Sequence, residues 1–216
     1  MSGAREREHE RLAQVARNRL DAAPIVEALR CIGFEVETVA DLFNEKLSYK
    51  AAIPILLDGL QRITNTDVKE DVVRALAVKW AKGTEAPKIL VAQFEQAEDP
   101  TGTGLRWAIG SALEVLADDV IADHLIKFAT DRRYGMARQM VVVGLGKLKD
   151  RRVVDVLLNL LADEEVVGHA VKALGKQRAI IARSRIEMLL KHPKPWVRKE
   201  AKKALASMYR RRSGQV

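Results

Sequence analysis

The chain of 216 residues contains one cysteine, Cys31, which excludes an internal disulfide and any cysteine cluster for a structural metal. Within Ala28-Leu29-Arg30-Cys31-Ile32 it reads as a small buried filler. Aromatic residues are only 5% of the total, a composition that suits thin helix-on-helix layers better than one thick core. No stretch approaches the roughly 20 apolar residues of a membrane-spanning helix. Residues 1–11 carry charges of both signs and no apolar segment, unlike a secretory signal. These absences point to a cytoplasmic protein without membrane contact. The histidines, His9, His124, His169 and His192, fall in separate segments with no metal-ligand spacing. No glycine-rich phosphate loop is present, because Gly144-Leu145-Gly146 lies inside a helical pattern, and no local motif announces a serine triad. The expectation is a non-enzymatic protein with no catalytic residue, metal or cofactor.

What the chain does have is charge and pattern. It is 48% hydrophobic and 31% charged, too patterned for disorder. From Asp131 onward Lys and Arg outnumber Asp and Glu 21 to 8, a net +13, whereas the preceding residues hold 16 against 21, a net −5. The C-terminal half therefore favours an anionic partner, unless its basic surface is merely solvated. The Arg210-Arg211-Arg212 run reads as a solvated end rather than a nucleic-acid arm.

One helical pattern recurs. Pro195-Trp196-Val197-Arg198 opens a helix whose Val197, Ala201, Ala204, Leu205 and Met208 make an apolar stripe at helical spacing. Stretches beginning at Val166, Ala137, Leu105 and Val68 match it, with their leucines at Leu76, Leu113, Leu145, Leu174 and Leu205. The leucines lie 37, 32, 29 and 31 residues apart, and the longest spacing accommodates an Asp99-to-Gly104 loop. A preceding helix, A, accompanies each template helix, B, with turn chemistry between them at Asn65-Thr66-Asp67, Asp131, Asp163 and His192-Pro193-Lys194-Pro195. Upstream, residues 1–23, Pro24–Ile32 and Glu37–Phe43 read as three separate helical pieces, the first loosely docked, covering the end of the stack. The expected organisation is a helical cap over 1–48, a repeat region over 49–212 and a disordered tail at 213–216.

Val197-Arg198…Ala201…Ala204-Leu205 and Val166…Ala170…Ala173-Leu174-Gly175, each with a polar turn ahead of it, resemble HEAT repeats. The likeness is to the short bacterial PBS-lyase HEAT-like type and covers roughly residues 50 to 208, with repeats shorter than the usual HEAT length. The resemblance implies an all-α, right-handed α-solenoid, an armadillo-like superhelix of about five helix pairs with B helices lining the concave side. Physics agrees, since one helix pair cannot bury its own apolar face and neighbours must stack. The basic residues Lys69, Arg106, Arg138 and Arg198 are expected to pair with turn acids, as is typical of the family; Val167 breaks that series.

With the residues Val68, Leu105, Ala137, Val166 and Val197 taken as position 0, about 100° per residue puts positions 0, 4, 7, 8 and 11 on the core side. Positions 2, 5, 6 and 9 then point away. The resulting candidate partner-binding groove is Arg74, Trp107, Glu114, Gln139, Val142, Val143, Val171, Lys172, Lys199, Lys202 and Lys203. Its centre, Trp107, Val142, Val143 and Val171, is apolar, suited to a helix or extended peptide of a protein partner, with Trp107 as anchor. The competing reading has positions 5 and 6 packing against adjacent repeats. Trp107 and Glu114, seven apart, also loosely resemble the aromatic-plus-carboxylate arrangement of HEAT-like alkylpurine DNA glycosylases. The alternative function is accordingly a nucleic-acid-binding HEAT-like protein, up to a DNA glycosylase-like enzyme, using the basic C-terminal half. The expected role is a protein-binding scaffold.

Overall fold

Apolar residues spaced three and four apart, punctuated by Asn, Asp, Gly and Pro, dictate short amphipathic helices. The computed structural model describes residues 2–45 and 47–209, so the Arg210-to-Arg212 run and the 213–216 tail lie outside the described residues. Among the described residues every regular element is helical. Twelve α-helices run in order, joined by turns and short 3-10 segments. They are α1 (Ser2–Cys31), α2 (Asp41–Asn44), α3 (Ile53–Arg62), α4 (Thr66–Leu76), α5 (Ala86–Gln96), α6 (Leu105–Leu116), α7 (Ala122–Thr130), α8 (Arg138–Leu145), α9 (Arg152–Leu160), α10 (Val167–Gln177), α11 (Arg183–Met188) and α12 (Pro195–Tyr209). None of the described helices is long and apolar enough to cross a membrane. The chain divides into two compact units, one up to Ile89 and one from Leu90, so the division falls within α5.

In the first unit α1 is a single helix, where two pieces are expected from Pro24. Pro24 is exposed, so the bond its missing N–H forfeits lies on the solvent side. The helix can therefore run through it and bury Ala22, Ile25, Val26 and Leu29 beyond it. Its first half is exposed, including Leu12 and Val15, which agrees with a loosely docked start. Gly33, at φ 92°, ends the helix: its own N–H and that of Phe34 return to Arg30 and Leu29 carbonyls. Cys31 is exposed rather than buried, because it falls on the solvent face of that last turn. The expected Glu37–Phe43 helix shrinks to α2, because Asp41 accepts the Glu37 and Thr38 N–H groups in a turn ahead of it.

Asn65 caps α4 by accepting the Asp67 and Val68 N–H groups, while its amide donates to Asn18 and Asp21 of α1. Asp67 accepts in turn from Gln14 and Asn18. One polar seam thus fixes α1 against the start of α4. Buried Tyr49 donates to the Ala75 carbonyl and meets Trp80 edge-on, 5.4 Å between centroids.

The second unit is the regular part. Helices α7, α9 and α11 alternate with α6, α8, α10 and α12, each B helix burying its position 0, 4, 7 and 8 residues as the periodicity requires. Phe94, Phe128 and Tyr134 form an aromatic cluster, Phe94 and Phe128 stacked at 4.5 Å. The Asp99-to-Gly104 loop is organised by one carboxylate. Asp99 accepts from Thr101, Gly102, Gly104 and Arg106, and these bonds hold its carboxyl below the ordinary range despite the opposing pull of burial. It thereby supplies the cap that Gly104 cannot give to α6.

The basic residues at position 1 serve the scaffold. Arg106 donates to the Phe94 and Ala97 carbonyls at the end of α5, and its guanidinium lies 5.2 Å from the Tyr134 ring centre. Arg198 donates to the His192 and Pro193 carbonyls. Each satisfies carbonyls left over where an A helix ends. Arg138 does the same at Ala129 and Gly135, and it alone of the three also pairs with turn acids, Asp163 and Glu165. The expected pairing with acids is therefore replaced at Arg106 and Arg198 by pairing with backbone.

Candidate partner-binding face

A B helix in a stack has three neighbours, its own A helix and the B helices before and after it. The repeat-to-repeat contacts are close because glycine lines them. A Cβ at Gly144 would sit 3.3 Å from the Glu114 Cα, one at Gly146 2.9 Å from the Ala173 Cα, and one at Gly175 2.8 Å from the Ala204 Cα. A Cβ at Gly110 would likewise lie 2.9 Å from the Ala137 carbonyl oxygen. Backbone-to-backbone approach of this kind leaves no open channel between successive B helices.

This closes the expected apolar groove. Val142 and Val171 are 0% exposed and Val143 3%, so none of the three reaches a partner. Position 5 is buried at Val73, Gly110, Val142 and Val171, and at Gly110 it lies against Ala137 and Val141 of the next repeat. Only in α12 does it carry a charge, Lys202, which is exposed. One signal in the sequence marks this position: it is apolar or glycine in the internal repeats and lysine in the last. A residue that is apolar wherever another repeat follows is a stacking residue, not a docking residue.

The remaining candidates divide by environment. Arg74 is exposed on α4 and spends its guanidinium on Glu70 at 3.3 Å. Trp107 is half-buried on α6, its carbonyl accepting from Ser111. Glu114, on the same helix, pairs with Lys147, in the turn just after α8, at 2.8 Å. Gln139 is half-buried and donates to the Glu165 carbonyl. Lys172 on α10 and Lys199, Lys202 and Lys203 on α12 are exposed, Lys203 paired with Glu200. The actual outward strip of this unit therefore runs through Trp107 and Ser111, Gln139 and Met140, His169 and Lys172, then Lys199 and Lys203. It sets Trp107 and Met140 among polar side chains and becomes basic over α10 and α12.

Residues 137–163, spanning α8 and α9, match the family model for the PBS lyase HEAT-like repeat. That segment is a HEAT-like repeat of that type. No curated protein matches it. The match falls on the stretch where Arg138, Asp163 and the glycines that set the repeat spacing are found, and all-helical packing of α6 to α12 agrees with it.

The sequence reasoning passed over His169. Its ring tilts against Trp196, 5.0 Å between centroids, where Gly168 leaves room: a Cβ there would lie 2.1 Å from the indole. Burial, with Lys172 adding to it, lowers the imidazole pKa to about 4, and Nδ1 has no hydrogen-bond partner. The side chain is neutral at neutral pH and adds no charge to the lysine face. Among the described residues no three His, Cys, Asp or Glu side chains gather in a way able to hold a metal.

Proposed function

We propose that the chain is a non-enzymatic protein-binding scaffold of the bacterial cytoplasm, whose α10–α12 face receives an acidic segment of a protein partner. One observation carries this reading. Lys172, Lys199 and Lys202 are exposed on two helices packed against each other, and none has an ion pair among the described residues. Three cations left without protein partners favour an anionic ligand electrostatically. HEAT-like repeats commonly mediate protein interactions, which supports a protein as that ligand. The Glu114–Lys147 pair supports a structural role for the carboxylate that would otherwise be an enzyme candidate.

Nucleic acid is the second reading, favoured by the net +13 of the C-terminal half. Co-purification of the tagged protein with and without nuclease, compared with a Lys172→Glu/Lys199→Glu/Lys202→Glu variant, tests both. Partners that survive nuclease and are lost with charge reversal support the proposal. Partners retained by the charge-reversed variant defeat it. Binding that vanishes with nuclease, and duplex affinity that falls steeply with salt, would replace protein by nucleic acid.

A further inference from the structure

The first unit contains a cleft that the lysine face does not involve. It lies between α1, the turn before α2, and α4, with a volume of about 220 Å³. Val15, Ala22, Val39 and Val68 supply its apolar walls, and Asn18, Arg19, Glu37, Thr38 and Asp71 its polar groups.

Almost every charged group here has a partner in the protein. Arg19 reaches Glu37 at 3.5 Å, Glu70 holds Arg74 at 3.3 Å, and Asp67 accepts from Gln14 and Asn18. Asp41, beneath the turn, accepts the Glu37 and Thr38 N–H groups. Asp71 differs. It is half-buried in the cleft wall, and among the described residues it has no hydrogen bond or ion pair. The cation that acts on it, Arg74, is committed to Glu70. Burial pushes the Asp71 carboxyl above its ordinary range, and the Glu70 and Asp67 charges act in the same direction against Arg74. A partly desolvated carboxylate without a partner is costly to the protein alone, and an incoming cation relieves that cost.

We infer that this cleft is a binding site for an aliphatic ammonium group, occupied by a lysine side chain of a partner protein. The four-carbon stem lies along Val15, Ala22, Val39 and Val68, and the ammonium pairs with Asp71. A lysine side chain suits the site in shape and charge: its four-carbon stem can cover the apolar walls while its compact ammonium pairs with the single carboxylate. The room available matches one extended side chain and its head group rather than a folded segment.

The test is methyl and amide NMR of the full chain, titrated with N-acetyl-lysine N′-methylamide and, separately, with the norleucine analogue that lacks the ammonium. The expected result is perturbation of the Val15, Val39 and Val68 methyl signals by the lysine compound, with affinity at least about tenfold weaker for norleucine. Asp71→Asn should weaken the lysine compound by a similar factor, while Asp67→Asn, whose carboxylate is already satisfied, should not. Equal responses to lysine and norleucine in the unmodified chain overturn the inference, even if Asp71→Asn fails to fold. So does undiminished lysine binding by a folded Asp71→Asn variant, or perturbation confined to other residues. Charge reversal on α10 and α12 leaves this readout unchanged, so the two ideas fail separately.

Discussion

Arg138 is wholly buried, an unusual place for a guanidinium, and the structure says what its removal should cost. Its Nε donates to the Gly135 carbonyl at 3.1 Å, Nη1 to the Ala129 carbonyl at 3.2 Å and Asp163 at 2.9 Å, and Nη2 to Glu165 at 2.6 Å. Glu165 is about half exposed, so that arm is worth at most about 1 kcal/mol. Asp163 is 7% exposed, and truncation of Arg138 leaves it the Glu165 N–H and only the exposed Arg132 guanidinium, at 3.5 Å, while the Ala129 carbonyl loses its side-chain donor. Losing one partner of a buried pair costs about 3–5 kcal/mol, a large part of a typical stability of about 5–15 kcal/mol. Arg138→Ala should lose about that amount. Arg138→Met keeps most of the aliphatic volume and should still lose at least about 2 kcal/mol, since the unsatisfied acceptors remain. Combined with Asp163→Asn, the Met variant should show a coupling energy of about 1–3 kcal/mol. Urea unfolding followed by far-ultraviolet circular dichroism, with unchanged denaturant slope, measures the unmodified chain, the three single variants Arg138→Ala, Arg138→Met and Asp163→Asn, and the double variant. The pH dependence is a second check. Hydrogen bonds from Arg138 and the Glu165 N–H hold the Asp163 carboxyl below its ordinary range, outweighing burial. Its stabilisation is therefore present above the unfolded-state value and lost as pH falls through the folded one. In Arg138→Met that acid limb should move upward. A Met variant costing under about 1 kcal/mol, with no coupling to Asp163, would refute the argument that this guanidinium joins successive repeats.

Other outcomes follow from the same geometry. Gly175→Ala drives a methyl into Ala204 backbone, so overpacking of about 1–3 kcal/mol should outweigh the roughly 1 kcal/mol of helix propensity gained; urea midpoints measure it. Gly168→Ala meets the Trp196 ring instead, which is 41% exposed and free to swing outward, and the same measurement should find it nearly neutral. For His169, the folded pKa of about 4 lies below the unfolded value, so the unfolded chain binds the extra proton between them. Stability should therefore fall as pH drops from about 6.5 to 4; NMR titration of the imidazole and a His169→Gln control locate the effect. Asp99→Ala should cost about 1–2 kcal/mol by uncapping α6, read from thermal or urea unfolding. Val142→Lys should unfold the second unit rather than merely block a partner, because its site is closed on all sides; a well-folded variant would contradict the stacking geometry.

Much of the scaffold was legible in the chain alone. Asn65 as a cap, Pro195 at a helix start, the leucines at Leu113, Leu145 and Leu174, and the Asp99 loop all depend on neighbours a few residues away. Local sequence therefore determined that the protein is all-helical, that it repeats, and which stripe of each B helix meets its own A helix. The candidate face was far less legible. A single helix's periodicity reports its most buried arc, and says little about a second arc buried only when another copy stacks beside it. Whether Val142 and Val143 face solvent depends on the distance and rotation between repeats, which Gly144 and Gly146 set through contacts some thirty residues distant in sequence. The same is true of Arg138, whose carboxylate partners lie in the next turn, and of Asp71, left over only after Arg19, Asn18 and Arg74 had found other partners. The sequence by itself determined the helices and their repetition, because those follow from local torsional and capping preferences. Only the tertiary structure decided which surface remains open, because exposure is a property of what lies opposite, and a chain's local pattern does not contain its opposite face.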